Sequence, residues 1–259
     1  MHIEKSEIHL WQLNLADFDH AEVEATCLSW LTEPELLRYR RYQFDRHRKQ
    51  LLLGRVLLRR VLSHYHDAIA PSDWQFSHNA YGKPALEAAQ NVQSLSFNLS
   101  HSGARAVFAV ARKGDIGVDV EYAVKPRRIE AIAQRYFSPS EVSGLMALPA
   151  AQQQARFYDL WTLKEAYIKA CGMGLAIPLQ HFSYGFLGEN GLSIAFDAER
   201  DDSEEGWQFW QLGATPDYRL ALASKTDAKK PAQQIKGWHF SALDSVEPLE
   251  WEIVRSKQR

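Results

Sequence analysis

A chain of 259 residues, 46% of them hydrophobic, buries a full core, as one large domain or as two small lobes. Its formal net charge of −2 excludes a protein that holds polyanions by bulk charge, and its two cysteines exclude a disulfide framework. The opening MHIEKSEIHLWQ has no apolar leader, and no run reaches the roughly 20 apolar residues of a membrane span, so a soluble cytoplasmic chain is expected.

In chain order, Glu7–Leu15 (EIHLWQLNL) alternates as a strand. TEPELLRYRRY opens a helix on Thr32 with Pro34 in the first turn. Asp45–Tyr65 follows as a long helix with an apolar stripe (Leu51, Leu52, Val56, Leu58, Val61, Leu62) and a flank of Arg46, Arg48, Lys49 and Arg55. LSFNLSHSGARAVFAVARKGDIGVDVEYA reads as an antiparallel meander of three strands, turning at His101–Gly103 and at RKGD. Three helical segments come next: RRIEAIAQRYF, SPSEVSGLMAL and AQQQARFYDLWTLKEAYIKACG, the last ending at Gly172. From Phe182 to Val254 short aromatic-rich strands take over.

The order strand, helices, strands, helices, strands suggests two lobes of similar build, dividing near Gly114–Gly117. FNLSHSGARAVFAVA and FWQLGATPDYRLALA share the run Phe, turn, alternating strand, Ala-x-Ala, either an internal duplication or a chance match.

Four segments carry candidate chemistry. In IGVDVE, Asp119 and Glu121 sit two apart and leave one face of a strand. They are either a solvated strand face or the oxygen donors of a hard cation. In Phe157–Gly172 the residues Phe157, Leu160, Trp161, Leu163, Tyr167, Ile168 and Cys171 form an apolar arc with Lys164 in its middle. Lys164 is costly there without an anion. Glu165 and Lys169 lie four apart on the arc's flank, an ordinary surface pair or part of a site. In NLSHSG, Ser100 and His101 offer phosphate donors, and YGKP presents Lys83 on a turn. Three carboxylates with two lysines beside them match the needs of phosphoryl transfer.

In sequence order, YGKP, FNLSHSG, IGVDVE and FYDLWTLKEAYIKACGMGL closely resemble the 4′-phosphopantetheinyl transferases of the Sfp type. The likeness runs from about Tyr81 to Leu175, with a weaker echo in FDRHRKQLLLGR, and the chain after Leu187 carries none of its motifs.

The resemblance implies an α+β fold of two similar lobes related by a pseudo-twofold axis, with the active site at their interface. Residues 1–114 would form the N-terminal lobe with the Ser-His turn, and 115–259 the C-terminal lobe with the metal carboxylates and motif helix. It implies transfer of the phosphopantetheine arm of coenzyme A to a serine of an apo acyl or peptidyl carrier protein, releasing adenosine 3′,5′-bisphosphate. Asp119, Glu121 and Glu165 would hold Mg²⁺, with Mn²⁺ as an alternative. His101 and Lys169 would meet the pyrophosphate, and Ser100, Lys83 and Arg46 the nucleotide, the last two near its 3′-phosphate. Lys164 would support the metal site. The base would be Glu165, a metal-bound water or a neutral Lys169.

An acidic carrier would dock beside Lys125, Arg127, Arg128 and Arg135, with Tyr136, Phe137, Leu145 and Met146 interleaved, unless these form an ordinary amphipathic helix pair. A monomer is expected, with no nucleic-acid and no membrane partner. A metal-dependent nucleotide or pyrophosphate hydrolase is the alternative enzyme, and a nucleic-acid binder using the arginine-rich helix the alternative without catalysis.

Overall fold

The first strand, β1 (Glu7–Asn14), is covered on both faces. Ile8 and Leu10 face one core while Trp11 and Leu13 face another. Such two-sided burial is the signature of a layered structure. The computed structural model describes residues 1–124, 127–213, 215–227 and 232–257.

After β1 come α1 (His20–Cys27), α2 (Glu33–Arg41) and α3 (Asp45–Ser63), then a small ribbon of β2 (Phe76–His78) and β3 (Pro84–Leu86). The hairpin β4 (Leu95–Ser102) and β5 (Arg105–Arg112) and the strand β6 (Asp115–Tyr122) follow. The second helical group is α4 (Ile129–Tyr136), α5 (Pro139–Met146) and α6 (Ala150–Cys171). The remaining strands are β7 (Phe182–Leu187), β8 (Gly191–Phe196), β9 (Trp207–Leu212), β10 (Tyr218–Lys225), β11 (Gln234–Ala242), β12 (Ser245–Leu249) and β13 (Ile253–Lys257).

The first sheet has the order β12-β11-β1-β5-β4 and the second β6-β10-β9-β13-β8-β7. Three apolar clusters follow from this. One lies between the first sheet and α1–α3, one between the second sheet and α4–α6, and the third between the inner faces of the two sheets. The middle core takes Ile8, Leu10, Val107, Ala109 and Ala111 from one sheet and Ile116, Val118 and Val120 from the other. The molecule is therefore a four-layer α+β sandwich, helices outside and sheets inside.

Each sheet contains the same three-strand unit. In β1-β5-β4 and in β6-β10-β9 a strand is followed by helices and then by a hairpin whose second strand returns to the first. The two sequence runs with matching Phe and Ala-x-Ala are these equivalent hairpins, β4–β5 and β9–β10.

Two expectations need correction. The three-strand meander does not exist: β6 leaves β5 at Gly114 and pairs with β10 in the other sheet. Its inner face, Ile116, Val118 and Val120, is as apolar as that of β5, so the two pack face to face. Nor does all of 115–259 lie on the second sheet. β11 runs parallel to β1 from Glu7↔Gln234 to Leu13↔Phe240, and β12 extends that sheet. Trp238 stacks on Trp11 at 4.8 Å between ring centroids, an aromatic contact that holds the returning segment.

Part of the arginine-rich stretch is neutralised within the fold. Arg55 and Arg59 meet Glu35 at 2.8 and 2.6 Å, Arg48 meets Asp45 at 3.1 Å, and Arg60 pairs with Asp244.

Candidate active site

The site begins where two sheet edges meet. β4 ends the first sheet and β6 the second, and an edge strand carries backbone N–H groups that need acceptors. Alternate side chains of β4 supply them. Val118 N–H donates to Asn98 Oδ1 at 2.9 Å, Val120 N–H to Ser100 Oγ at 3.3 Å, and Tyr122 N–H to Ser102 Oγ at 3.1 Å. The same hydroxyls donate onward to the carboxylates between them, Ser100 to Asp119 at 2.9 Å and Ser102 to Glu121 at 3.0 Å. The period of two in NLSHS is thus a side-chain ladder joining the lobes.

Helix α6 closes the other side. At Gly117 it lies directly on β6: a Cβ there would stand 2.1 Å from Ala166 O and 2.4 Å from Ala170 N. This contact brings Glu165 and Lys169 over the acidic face of β6. Lys169 Nζ reaches Asp119 Oδ1 at 2.5 Å and Ser100 Oγ at 3.0 Å. Arg127 approaches Glu121 at 3.4 Å and lies over the Tyr158 ring.

Burial raises the proton affinity of all three acids, and repulsion from neighbouring carboxylates adds to it for Glu121 and Glu165. Burial pushes Glu165 up to about 7, with Asp119 and Glu121 adding to the rise. Asp119 is pushed up by burial and pulled back by Lys169, and Glu121 is raised by burial and then by Asp119. Desolvation and the nearby Lys169 lower His101, so its imidazole is neutral near pH 7.

Among the described residues, no group of three or more acidic, histidine or cysteine side chains stands in an arrangement that could hold a metal ion. The chemistry of Asp119, Glu121 and Glu165 is nonetheless that of oxygen ligands for a hard divalent cation. Asp119 Oδ2 is buried without a hydrogen-bond partner, and the mutual repulsion of the three carboxylates is what a cation relieves. Mg²⁺ needs few protein carboxylates and completes its shell with water and phosphate oxygen.

On the first-lobe side a cleft of about 590 Å³ is lined by Arg46, His47, Lys49, His101 and Ser102. It joins Arg46 to the Ser-His turn. Arg46 is exposed, lies over Phe44 at 5.2 Å and has no acidic partner among the described residues.

Lys83 is placed differently from the expectation. Its Nζ donates to Ile116 O at 3.1 Å and to Ala170 O at 2.8 Å, while Asn79 Nδ2 donates to Gly172 O at 2.7 Å. Gly172 has φ 72°, and a Cβ there would press Lys83 Cδ at 2.8 Å. The YGKP turn is a clasp on the C-terminal end of α6, where a cation also favours the helix dipole.

Lys164 is likewise not beside the three carboxylates. It is fully buried on another face of α6, paired with Glu141 at 2.8 Å and donating to Leu179 O and Phe182 O at 2.7 Å each. Of the docking residues, Lys125 lies outside the described residues, and Phe137 and Leu145 are core. Sequence reading placed Arg127 on the docking surface rather than against Glu121, and it missed His47 as a neighbour of the cleft; no local pattern marks either contact.

A family model described as the 4′-phosphopantetheinyl transferase superfamily matches residues 115–223, and one described as 4′-phosphopantetheinyl transferase, N-terminal, matches 18–113. The 4′-phosphopantetheinyl transferase HetI of Nostoc sp. is 39% identical over 171 residues, 66% of this chain and 70% of that protein. Sfp of Bacillus subtilis is 34% identical over 197 residues, 76% of this chain and 83% of its own. The holo-[acyl-carrier-protein] synthase of Thermotoga maritima overlaps 46% of this chain and 65% of its own with a TM-score of 0.36 at 16% identity. With both halves of the sequence matched and relatives aligned over most of their length, the chain belongs to the 4′-phosphopantetheinyl transferase superfamily.

Proposed function

We propose that the chain transfers the phosphopantetheine arm of coenzyme A to a serine of an apo acyl or peptidyl carrier protein, releasing adenosine 3′,5′-bisphosphate. The observation that carries this reading is the seam cluster of Asp119, Ser100, Lys169 and Glu165, set beside a cleft holding Arg46 and His101. A divalent cation, Mg²⁺ or Mn²⁺, held by Asp119, Glu121 and Glu165, supplies charge neutralisation at the diphosphate. Lys169, anchored by Asp119 and Ser100, offers a fixed ammonium to phosphate oxygens, and neutral His101 a hydrogen bond. Arg46 takes the nucleotide end.

The serine oxygen forms a bond to the β-phosphorus as the bond from that phosphorus to the bridging oxygen breaks. The electron pair leaves with adenosine bisphosphate. Glu165, held in the same cluster beside Asp119 and Glu121, accepts the serine proton.

The test is incubation with coenzyme A and Mg²⁺, with and without an apo-carrier, read by intact mass and nucleotide release. A carrier that gains the phosphopantetheine mass is expected. Release of adenosine bisphosphate at the same rate without carrier would overturn the reading in favour of a hydrolase.

A further inference from the structure

We propose a second ligand site, away from the seam: the cleft of about 610 Å³ beside the first half of α6 binds a small molecule that joins a carboxylate or phosphate head to an apolar body. Asp159, on this cleft, lies six residues before Glu165 and about 120° away round the helix, so the cleft opens on another face of α6.

Three guanidiniums converge there on one buried carboxylate. Arg219 Nε donates to Asp159 Oδ1 at 3.1 Å, and its Nη1 is fixed by Pro216 O and Tyr218 O at 3.0 and 3.1 Å. Arg255 stands 3.8 Å from Asp159 Oδ2, with Nη1 donating to Gln211 at 3.0 Å and Nε buried without an acceptor. Arg156 lies flat on Phe186, 3.8 Å from the ring centroid, and has no hydrogen-bond acceptor among the described residues. Arg255 lies over the same ring at 5.3 Å.

Asp159, and Glu252 on the rim of the same cleft, offset two positive charges of three. The remaining guanidinium charge, half-buried beside its neighbours, favours a further anion. The planar fork of arginine matches carboxylate and phosphate alike, and two of the three forks are already oriented by protein hydrogen bonds. Leu148, Ala155, Leu212 and Val254 line the walls, which asks for an apolar body on the ligand. The volume suits a small organic molecule rather than a bare ion. None of these residues takes part in the seam chemistry, so the inference stands or falls independently of the transferase reading.

The experiment is calorimetric titration of the full chain with octanoate, octyl phosphate and octanol. At least one octyl anion is expected to bind with submillimolar affinity and octanol about tenfold more weakly; the preferred head group identifies the ligand as carboxylate or phosphate. Arg156→Gln is expected to weaken the anion about tenfold with an unchanged melting temperature, because Arg156 has no hydrogen bond to lose. If that variant melts early, Arg156→Lys is read instead, which keeps the charge, loses the fork and loses affinity several-fold. Arg46→Gln, in the seam cleft, is expected to bind octanoate like the unaltered chain. Absence of binding by both anions, equal binding of octanol, undiminished binding by a folded Arg156 variant, or loss of binding in Arg46→Gln would each overturn the proposal.

Discussion

The Ser100 hydroxyl donates to Asp119 Oδ1 at 2.9 Å, from the edge strand of one sheet to the edge strand of the other. The same oxygen accepts from Val120 N–H and from Lys169, so its one donor and two acceptor positions are all used. Ser100→Ala strands these partners. We expect a stability loss of about 1–3 kcal/mol in urea unfolding and a transfer rate down by about tenfold or more. Ser100→Thr, which keeps the hydroxyl, should recover most of both. An unaltered urea midpoint for Ser100→Ala would show that the ladder contributes nothing.

Lys83 and Arg46 should now fail differently. Lys83 binds backbone carbonyls of β6 and α6, so Lys83→Ala should lower stability by about 1–3 kcal/mol and harm turnover equally with coenzyme A and with dephospho-coenzyme A. Arg46 faces the open cleft, and Arg46→Ala should raise KM for coenzyme A more than for its dephospho form. Steady-state kinetics with both substrates decides; a selective penalty in Lys83→Ala would return Lys83 to the 3′-phosphate.

The raised carboxyls make a pH prediction with a definite sign. Glu165 titrates at about 7 in the fold against 4.5 in the unfolded chain, so the native state binds the proton more tightly. The resulting stability is full below 4.5 and is lost as pH rises through about 7, at most about 3 kcal/mol. In chelator, Glu165→Gln should therefore gain thermal stability over the parent chain as pH goes from about 5 to about 8. Mg²⁺ should raise the parent's melting temperature, and more at the upper pH than at the lower. A melting-temperature gap that does not change with pH would remove Glu165 from the repelling cluster.

Lys164→Met tests the buried pair. It leaves Glu141 buried without its cation, which typically costs about 3–5 kcal/mol. Adding Glu141→Gln should recover part of that loss, and the residual activity of the folded double variant should keep its KM for coenzyme A. A raised KM would tie Lys164 to the substrate instead of to the packing of residues 179–184.

Much of this was legible in the sequence. Alternation gave the faces of β6, and the spacing of Glu165 and Lys169 put both on one side of α6, from which Lys169 reaches Asp119. What a strand pairs with is not written in its own pattern. Ile116, Val118 and Val120 fit a meander beside β5 as well as the face-to-face packing that the fold adopts, and only the second sheet's demand for an edge decides. The targets of long basic side chains were equally hidden. Lys83, Lys164, Arg55 and Arg59 all found partners far away in sequence, where no periodicity reaches.

The parallel pairing of β1 with β11 has a consequence for how the chain is made. Glu7 faces Gln234, so β1 waits on the ribosome for a strand made more than two hundred residues later. At usual elongation rates that delay is roughly 10–45 s, during which the flank of β1 and the Trp11 ring lack their final cover. The first lobe is then not an early, self-sufficient folding unit. Its completion is a late, high-contact-order event, and nascent chains stalled before Gln234 should be more readily cut by protease around Trp11 than chains stalled after β12.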